Sequence, residues 1–488
     1  MKANRILIIF AAVIATLYML SLVFPGDGIT VGNLNLRFPT LHSLVEKKGD
    51  DMALFEPQTD PGKMQVEDSI SYYRKLIDSS ELRFWLPDPH YLDDFWQTVE
   101  QAHSQHRTVR ILHYGDSQIE MDHISSRLRA YMQKTYGGGG PGMLPFRTIT
   151  STMTVRQSNS GNLIHLASFG DSLAVRSRGN YGIMMQCFRL EGGNATVTVK
   201  NANSSRVDSA AKRFEHVRLL ANNRSGLVAE FTDLRNKKES RGQSAPHGVS
   251  SLVWNTDTVT DGIRLHVSGS ADLYAITIDA DYGVTVDNIP MRGCSGQQFT
   301  LVDEEMLTAA YGALDVGMII LQFGGNSVPY LNSKSISTYC RSIAKQIAFL
   351  RQCCPNAKVL FIGPSDMSKR IKGELQTYPV IPELIDSLAA TAVANGAAYW
   401  SIYHAMGGNN SMPQWTRQGF AGNDYIHFSQ KGADYMGDLL SEAFDNSHTL
   451  YRLEKQYEEL LQKANEEKEG KPNVKKELKK LWERGGGR

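Results

Sequence analysis

The chain reads as an α/β protein built on a doubly wound parallel sheet, with an antiparallel β insert and an apolar amino-terminal helix. Three observations predict this. After residue 286, apolar strand-like runs alternate with amphipathic helical stretches, the rhythm of a parallel sheet covered on both faces. Between residues 151 and 285 that rhythm gives way to short alternating runs separated by Asn-, Ser-, Asp- and Gly-rich turns, the pattern of an antiparallel β-sandwich. Near the start, the 19 residues from Ile6 through Phe24 carry no charge, close to the length that spans a hydrocarbon core of ~30 Å. At 488 residues, with 41% hydrophobic and 21% charged residues, the chain can hold two or three globular domains. A net charge of +1 argues against a dedicated nucleic-acid binder.

Taken in order, Lys2 and Arg5 precede the apolar run and Pro25-Gly26-Asp27-Gly28 follows it, without a small-x-small cleavage site. Residues 1–25 are therefore expected to be an uncleaved signal anchor, a single membrane-spanning helix with its basic end in the cytoplasm. A cleaved signal peptide is the alternative, and either one exports the body. Residues 26–105 read as a stalk and lead-in helices, with a helix expected around Ser69–Ile77. The aromatics Phe84, Trp85, Tyr91, Phe95 and Trp96 in this stretch suit either docking contacts or a sugar-stacking surface. The strand Val109–Tyr114 then leads into Gly115-Asp116-Ser117-Gln118, and Ile124, Leu128 and Tyr131 lie on one face of the helix expected after it. Gly137 to Gly140, with Pro141 and Gly142, reads as a helix stop and a flexible wall; a phosphate-cradling loop would carry Lys-Ser/Thr and open a helix.

Within the insert, strands are expected at Ala195–Lys200, His216–Leu220, Leu227–Phe231, Gly248–Trp254, Gly262–Ser268 and Leu273–Asp279. Beyond it, Met318–Phe323, Lys358–Gly363 and Ala398–Tyr403 read as strands, and Leu301–Tyr311, Thr338–Arg351 and Ile381–Asn395 as helices. The last segment, 448–488, is Lys/Glu-rich and reads as a solvated helix with a frayed tail. The main domain is thus expected to comprise 106–150 plus 286–447, split by the insert 151–285.

Three distant strings carry chemistry when read together. Ser117 stands at a strand-to-helix turn, where its hydroxyl is pushed out beside backbone amides able to hold a developing negative charge. Gly324-Gly325-Asn326 follows the apolar strand ending at Phe323, and Asp424-Tyr425-Ile426-His427 places a carboxylate three residues from an imidazole. Serine, histidine and aspartate in this relation are the parts of a nucleophile, its base and the group that orients the base. Gly170-Asp171-Ser172-Leu173 repeats the first motif but is followed by turn residues, so it reads as a loop. The five cysteines (187, 294, 340, 353, 354) are too scattered for a disulfide framework, and no Cys/His cluster has zinc spacing. No metal and no cofactor are expected.

The order Ser, Gly-x-Asn, Asp-x-x-His resembles the SGNH (GDSL-type) hydrolase family. The resemblance implies a flavodoxin-like three-layer α/β/α fold, with Ser117 as nucleophile, His427 as general base and Asp424 orienting it. It also implies an oxyanion hole from the amides of Ser117 and Gly293, with Gly296 in reserve, and the side chain of Asn326. Two positions depart from the family pattern: Ser327 stands where Asp usually follows the Asn, and Phe428 where Pro usually follows the His. Neither removes a catalytic group. Trp415 and Met412, in the segment before Asp424, are expected to contact substrate, with core packing the alternative for Trp415. The insert resembles carbohydrate-binding-like jelly rolls found inside some peptidoglycan O-acetylesterases of this family.

The expectation is an exported serine esterase, anchored in a bacterial inner membrane with its body in the periplasm, that removes short acyl groups from a cell-envelope glycan. An O-acyltransferase working with a membrane-bound acyl-donor partner is the first alternative. A glycan-binding protein on a retired hydrolase fold is the second.

Overall fold

The computed structural model describes residues 29–31, 34–36, 70–75, 83–150, 152–170, 179–235, 239–243, 248–256 and 262–470. The apolar run Ile6–Phe24 and the second Asp-Ser pair, Asp171 and Ser172, lie outside these residues, as does the carboxyl-terminal stretch 471–488. Among the described residues no helix is long and apolar enough to cross a membrane. The chain divides into two units, residues 1–68 and 69–488. In the first, Ile29–Val31 pairs antiparallel with Leu34–Leu36.

The second unit is organised by five parallel strands: β1 (Thr108–Gly115), β2 (Gly283–Pro290), β3 (Val316–Gln322), β4 (Lys358–Ile362) and β5 (Ala398–Trp400). Their order in the sheet is β2-β1-β3-β4-β5, the flavodoxin-like arrangement with one switch of direction beside β1. Strands buried on both faces are largely apolar rather than alternating, which is why β3 and β4 read as continuous hydrophobic runs; β1 and β2 also carry buried Arg110, His113, Thr285 and Asp287. Val109 and Ile111 of β1, with Met318 and Ile320 of β3, face helices α1 (Asp93–Gln101), α2 (His123–Tyr136) and α6 (Gln430–Gly470) through Trp96, Leu128 and Phe444. On the other face, Leu112 and Tyr114 with Ile319 and Leu321 meet α3 (Glu304–Gly312), α4 (Ser333–Cys353) and α5 (Ile381–Ala394) through Tyr311, Ile347 and Leu388. The aromatics before β1 are docking contacts: Trp96 is fully buried, and Trp85 exchanges backbone hydrogen bonds with Tyr399.

The register brings the functional loops together. Pro290 at the end of β2 and Gln322 at the end of β3 both pair with Gly115, the last residue of β1. The loops carrying Gly293, Ser117 and Asn326 therefore leave the sheet side by side at the switch of strand order, where open α/β sheets bind their ligands.

Among the described residues the insert contributes seven strands, which with Gly142–Leu144 just before it form one antiparallel hydrogen-bonded network rather than two separate sheets. Runs expected as separate strands join into longer ones: His216–Asp233 and Gly262–Asp279 each extend over 18 residues, the latter bulged near Ser268 and Ser270. Bulges let a strand bend without ending, so the polar turn-like residues at their centres do not break the chain. Both halves of His216–Asp233 feed one core, through Val217 and Leu219 on one side and Ala229 and Phe231 on the other.

Three further expectations are revised. The glycine run after α2 is not a flexible wall: a Cβ on Gly138 would lie 2.4 Å from the Val284 carbonyl and one on Gly140 2.1 Å from that of Ile278. Glycine is needed there for close backbone packing against β2 and the insert. The carboxyl-terminal helix does not begin near 448 but at Gln430, and its first half is core, with Met436, Leu440 and Phe444 fully buried. The helix expected directly after Ser117 is interrupted. A short 3₁₀ segment, Ser117–Asp122, comes first, and α2 starts only at His123.

Candidate active site

Ser117 occupies the turn that leaves β1. Asp116 extends the strand and caps the 3₁₀ segment, its Oδ1 accepting from the Gln118 amide at 3.0 Å. The Ser117 Oγ lies 2.9 Å from His427 Nε2, and His427 Nδ1 lies 2.7 Å from Asp424 Oδ2. Because Nδ1 faces a carboxylate it carries the ring proton, which leaves Nε2 unprotonated to accept from the serine hydroxyl. Asp424 Oδ1 accepts from the amides of Ile426 (3.0 Å) and His427 (3.1 Å), so the carboxylate both closes its own turn and orients the ring. Burial alone would raise the Asp424 carboxyl; the hydrogen bonds from the His427 ring and these two amides outweigh it and hold the group below its ordinary range.

The sequence reading gave Gln118 no role, yet it ties the two halves of this chain. Its Nε2 donates to the Ile426 carbonyl at 2.8 Å and its Oε1 accepts from the Phe428 amide at 3.3 Å. The histidine loop is thereby bound to the residue after the serine. A polar residue directly following the nucleophile was the only sequence signal for this, and it does not name the partner.

Asn326 sits beside the serine, in the loop after β3. Its Nδ2 donates to Asp116 Oδ2 at 3.1 Å and to the Cys294 carbonyl at 3.0 Å, linking the loops after β1 and β2. Both amide hydrogens are engaged, so holding an oxyanion requires one of them to be shared. Burial pushes the Asp116 carboxyl up to about 6, against the Gln118 amide, nearby His427 and the Asn326 amide, which favour the charged form. Gly293 has φ +76, and a Cβ there would meet no atom within 4 Å, so glycine serves the backbone turn and the space in front of it is open. Gly296, by contrast, is pressed against Phe323, its Cβ position 2.8 Å from the ring.

Two expected substrate contacts are not placed at the site. Met412 is fully buried and donates its amide to Asp366 at 2.7 Å, and Trp415 is 7% exposed, its indole N–H donating to the Met406 carbonyl at 3.0 Å. Both lie in the core beneath the histidine loop. The pocket at Ser117 has a volume of 190 Å³, and its wall includes Asn326, Pro364 and Tyr330. Tyr330, which the sequence reading passed over, is 85% exposed. Asp424 and His427 are each 47% exposed at the side chain, so the site is open to water.

Arranged in this way, the groups can transfer a proton from a serine hydroxyl to an imidazole and present amides to a developing oxyanion. Residues 257–435 match the GDSL-like lipase/acylhydrolase family. A solved structure of a peptidoglycan O-acetylesterase is similar over 75% of this chain and 99% of its own, at 21% identity and a TM-score of 0.61. A carbohydrate acetylesterase from Sinorhizobium meliloti is similar over 33% of this chain and 78% of its own, at 14% identity and a TM-score of 0.26. No curated protein matches the sequence. The chain thus shares its fold with that O-acetylesterase and, over residues 257–435, is similar to GDSL-like lipases and acylhydrolases.

Proposed function

We propose that the protein is an exported serine esterase that removes O-acetyl groups from a cell-envelope glycan. Ser117 attacks the ester carbonyl as His427 takes its proton; Asp424 holds the imidazole tautomer and stabilises the imidazolium. The amides of Ser117 and Gly293, with Asn326, hold the oxyanion. His427 then protonates the departing sugar oxygen and activates water to release acetate. The observation that carries this reading is the unbroken hydrogen-bonded chain Ser117–His427–Asp424 beside Asn326. A pocket of only 190 Å³ at the serine favours a short acyl group, and the exposure of His427 favours water as acceptor over transfer to a second sugar. Export rests on the charge-free run Ile6–Phe24, and a glycan substrate on the likeness to an enzyme that deacetylates peptidoglycan.

The test is acetate release from an O-acetylated cell-wall glycan, alongside hydrolysis of an aryl acetate. Ser117→Ala and His427→Ala are each expected to abolish both. Formation of acetylated glycan from an activated acetyl donor, faster than acetate release, would instead establish a transferase.

A further inference from the structure

Gln118 follows the serine directly, and its side chain turns toward the histidine loop. Its Nε2 donates to the Ile426 carbonyl at 2.8 Å, and its Oε1 accepts from the Phe428 amide at 3.3 Å. Ile426 and Phe428 flank His427, so one side-chain amide grips the backbone on both sides of the imidazole. The same Nε2 lies 3.4 Å from Ser365 Oγ, in the loop after β4. The grip needs a donor and an acceptor on one planar group, which a primary amide supplies. It also needs an N–H at position 428, which phenylalanine has and a proline would lack.

The loop held in this way has a shape that its surroundings must maintain. Tyr425, two residues before His427, stands at φ 57, in the left-handed region that costs a non-glycine residue ~1–3 kcal/mol. The Ser368 amide donates to its carbonyl at 3.1 Å, and the Gly422 amide donates to that of His427 at 2.8 Å. Asp424 orients the ring, but it belongs to the same loop and travels with His427, so it does not register the pair against Ser117. The Ser117–His427 hydrogen bond is open to water, which competes for it, since the His427 side chain is 47% exposed. Gln118 is one peptide bond from Ser117, and its grip ties the position of the imidazole to that of the hydroxyl.

We propose that Gln118 is a positioning residue for the acyl-transfer reaction: it holds the His427 imidazole in line with Ser117, and its contribution falls on the chemical step rather than on substrate binding. It rests on the reading of Ser117 as nucleophile and His427 as base.

Gln118→Met keeps the length of the side chain and removes both hydrogen bonds. In the full-length protein it is expected to lower kcat on an aryl acetate about 10–100-fold, the scale of a misplacement near 1 Å. KM should stay unchanged, the sign of an interaction lost at the transition state alone. The rate at which a phosphonate ester modifies Ser117, which needs no turnover, is expected to fall by the same factor. Gln118→Glu is the conservative variant. Its carboxylate can accept from Phe428 but has no hydrogen for Ile426, whereas the protonated acid does both. The ratio of its kcat to that of the unsubstituted protein is therefore expected to rise as pH falls toward the ordinary glutamate range of ~4.3, while the ratio for Gln118→Met stays flat. An unchanged kcat in Gln118→Met, a loss expressed through KM, or a flat ratio for Gln118→Glu overturns the proposal. So does a loss in both variants that only follows a loss of folded protein in thermal melts. Hydrolysis that survives Ser117→Ala overturns the serine-esterase reading as well, whereas Ser117-dependent hydrolysis indifferent to Gln118 overturns this proposal alone.

Discussion

At the scale of single residues, Asp116 and Asn326 support the loop that carries Ser117. Asp116 is fully enclosed, and its charged form accepts from Gln118 and Asn326 at once. Its folded pKa is raised, so as pH falls through about 6 it takes up a proton and loses one acceptor lone pair facing the Asn326 amide. Activity on an aryl acetate is therefore expected to decline as pH drops through about 6, and Asp116→Ala is expected to lower the plateau and flatten that acid limb. A limb unchanged in Asp116→Ala would show that Asp116 does not set it. Asn326→Ala is expected to lower kcat by ~10²–10³, the usual effect of removing one oxyanion donor. That Ser117, Asn326, Asp424 and His427 come together was legible in the sequence because each is a polar group placed at a strand end or in a loop. Met412 was expected at the substrate, and Trp415 either there or in the core, because a glycine-rich loop looks exposed on paper; both lie in the core. The buried partners that hold this segment inward, Asp366 for the Met412 amide and the Met406 carbonyl for the Trp415 indole, are contacts that sequence spacing does not reveal.

At the scale of elements, the interruption after the serine is the most informative departure. Met121 and Asp122 stand consecutively at φ 60 and 65, a left-handed conformation that non-glycine residues rarely adopt. Such residues cost of order 1–3 kcal/mol each and persist only where their surroundings hold them. Here Arg129 donates to Asp122 from two guanidinium nitrogens at 2.7 and 3.0 Å, and Thr154 adds its hydroxyl. Arg129 also donates to the Val286 carbonyl of β2 at 2.6 Å. The pair is buried, with side chains 1% and 4% exposed, so Asp122→Ala leaves an unpaired guanidinium and is expected to destabilise the fold by ~3–5 kcal/mol. Thermal melts measure that directly, and a loss below about 1 kcal/mol would show the clamp to be dispensable. The helical periodicity of Ile124 and Leu128 was readable; the six-residue delay was not, because it depends on Thr154, which arrives from the insert.

At the scale of the whole molecule, the insert is joined to the catalytic domain through a common interior. Tyr114 of β1 donates to the Ile183 carbonyl at 2.7 Å, and Ile183, Met184 and Tyr274 share one hydrophobic cluster with Phe299 and Tyr311. Gly142–Leu144, before the insert, pairs with Ile276–Ile278 near its end. Arg110 of β1 is buried between Asp287 of β2 and Asp279 of the insert; burial works against its charge, but the two carboxylates hold the guanidinium charged. Excision of 151–285 is therefore expected to give an insoluble or unfolded product. A folded, monomeric remnant with aryl acetate activity would show the insert to be a separable module. Alternation of strand and helix patterns made the parallel sheet legible, and the change to short runs marked the insert. Their shared interior was hidden because the contacts join residues 69 to 169 positions apart, such as Tyr114 with Ile183 and Arg110 with Asp279.

The central claim is that Ser117 is the nucleophile and His427 its base. It is tested most directly by exposing the full-length protein to a phosphonate ester and locating the adduct by peptide mass spectrometry. A single adduct is expected on the peptide bearing Ser117, and it is expected to be lost in His427→Ala. An adduct on another serine, Ser172 above all, or labelling of Ser117 that does not need His427, would contradict it.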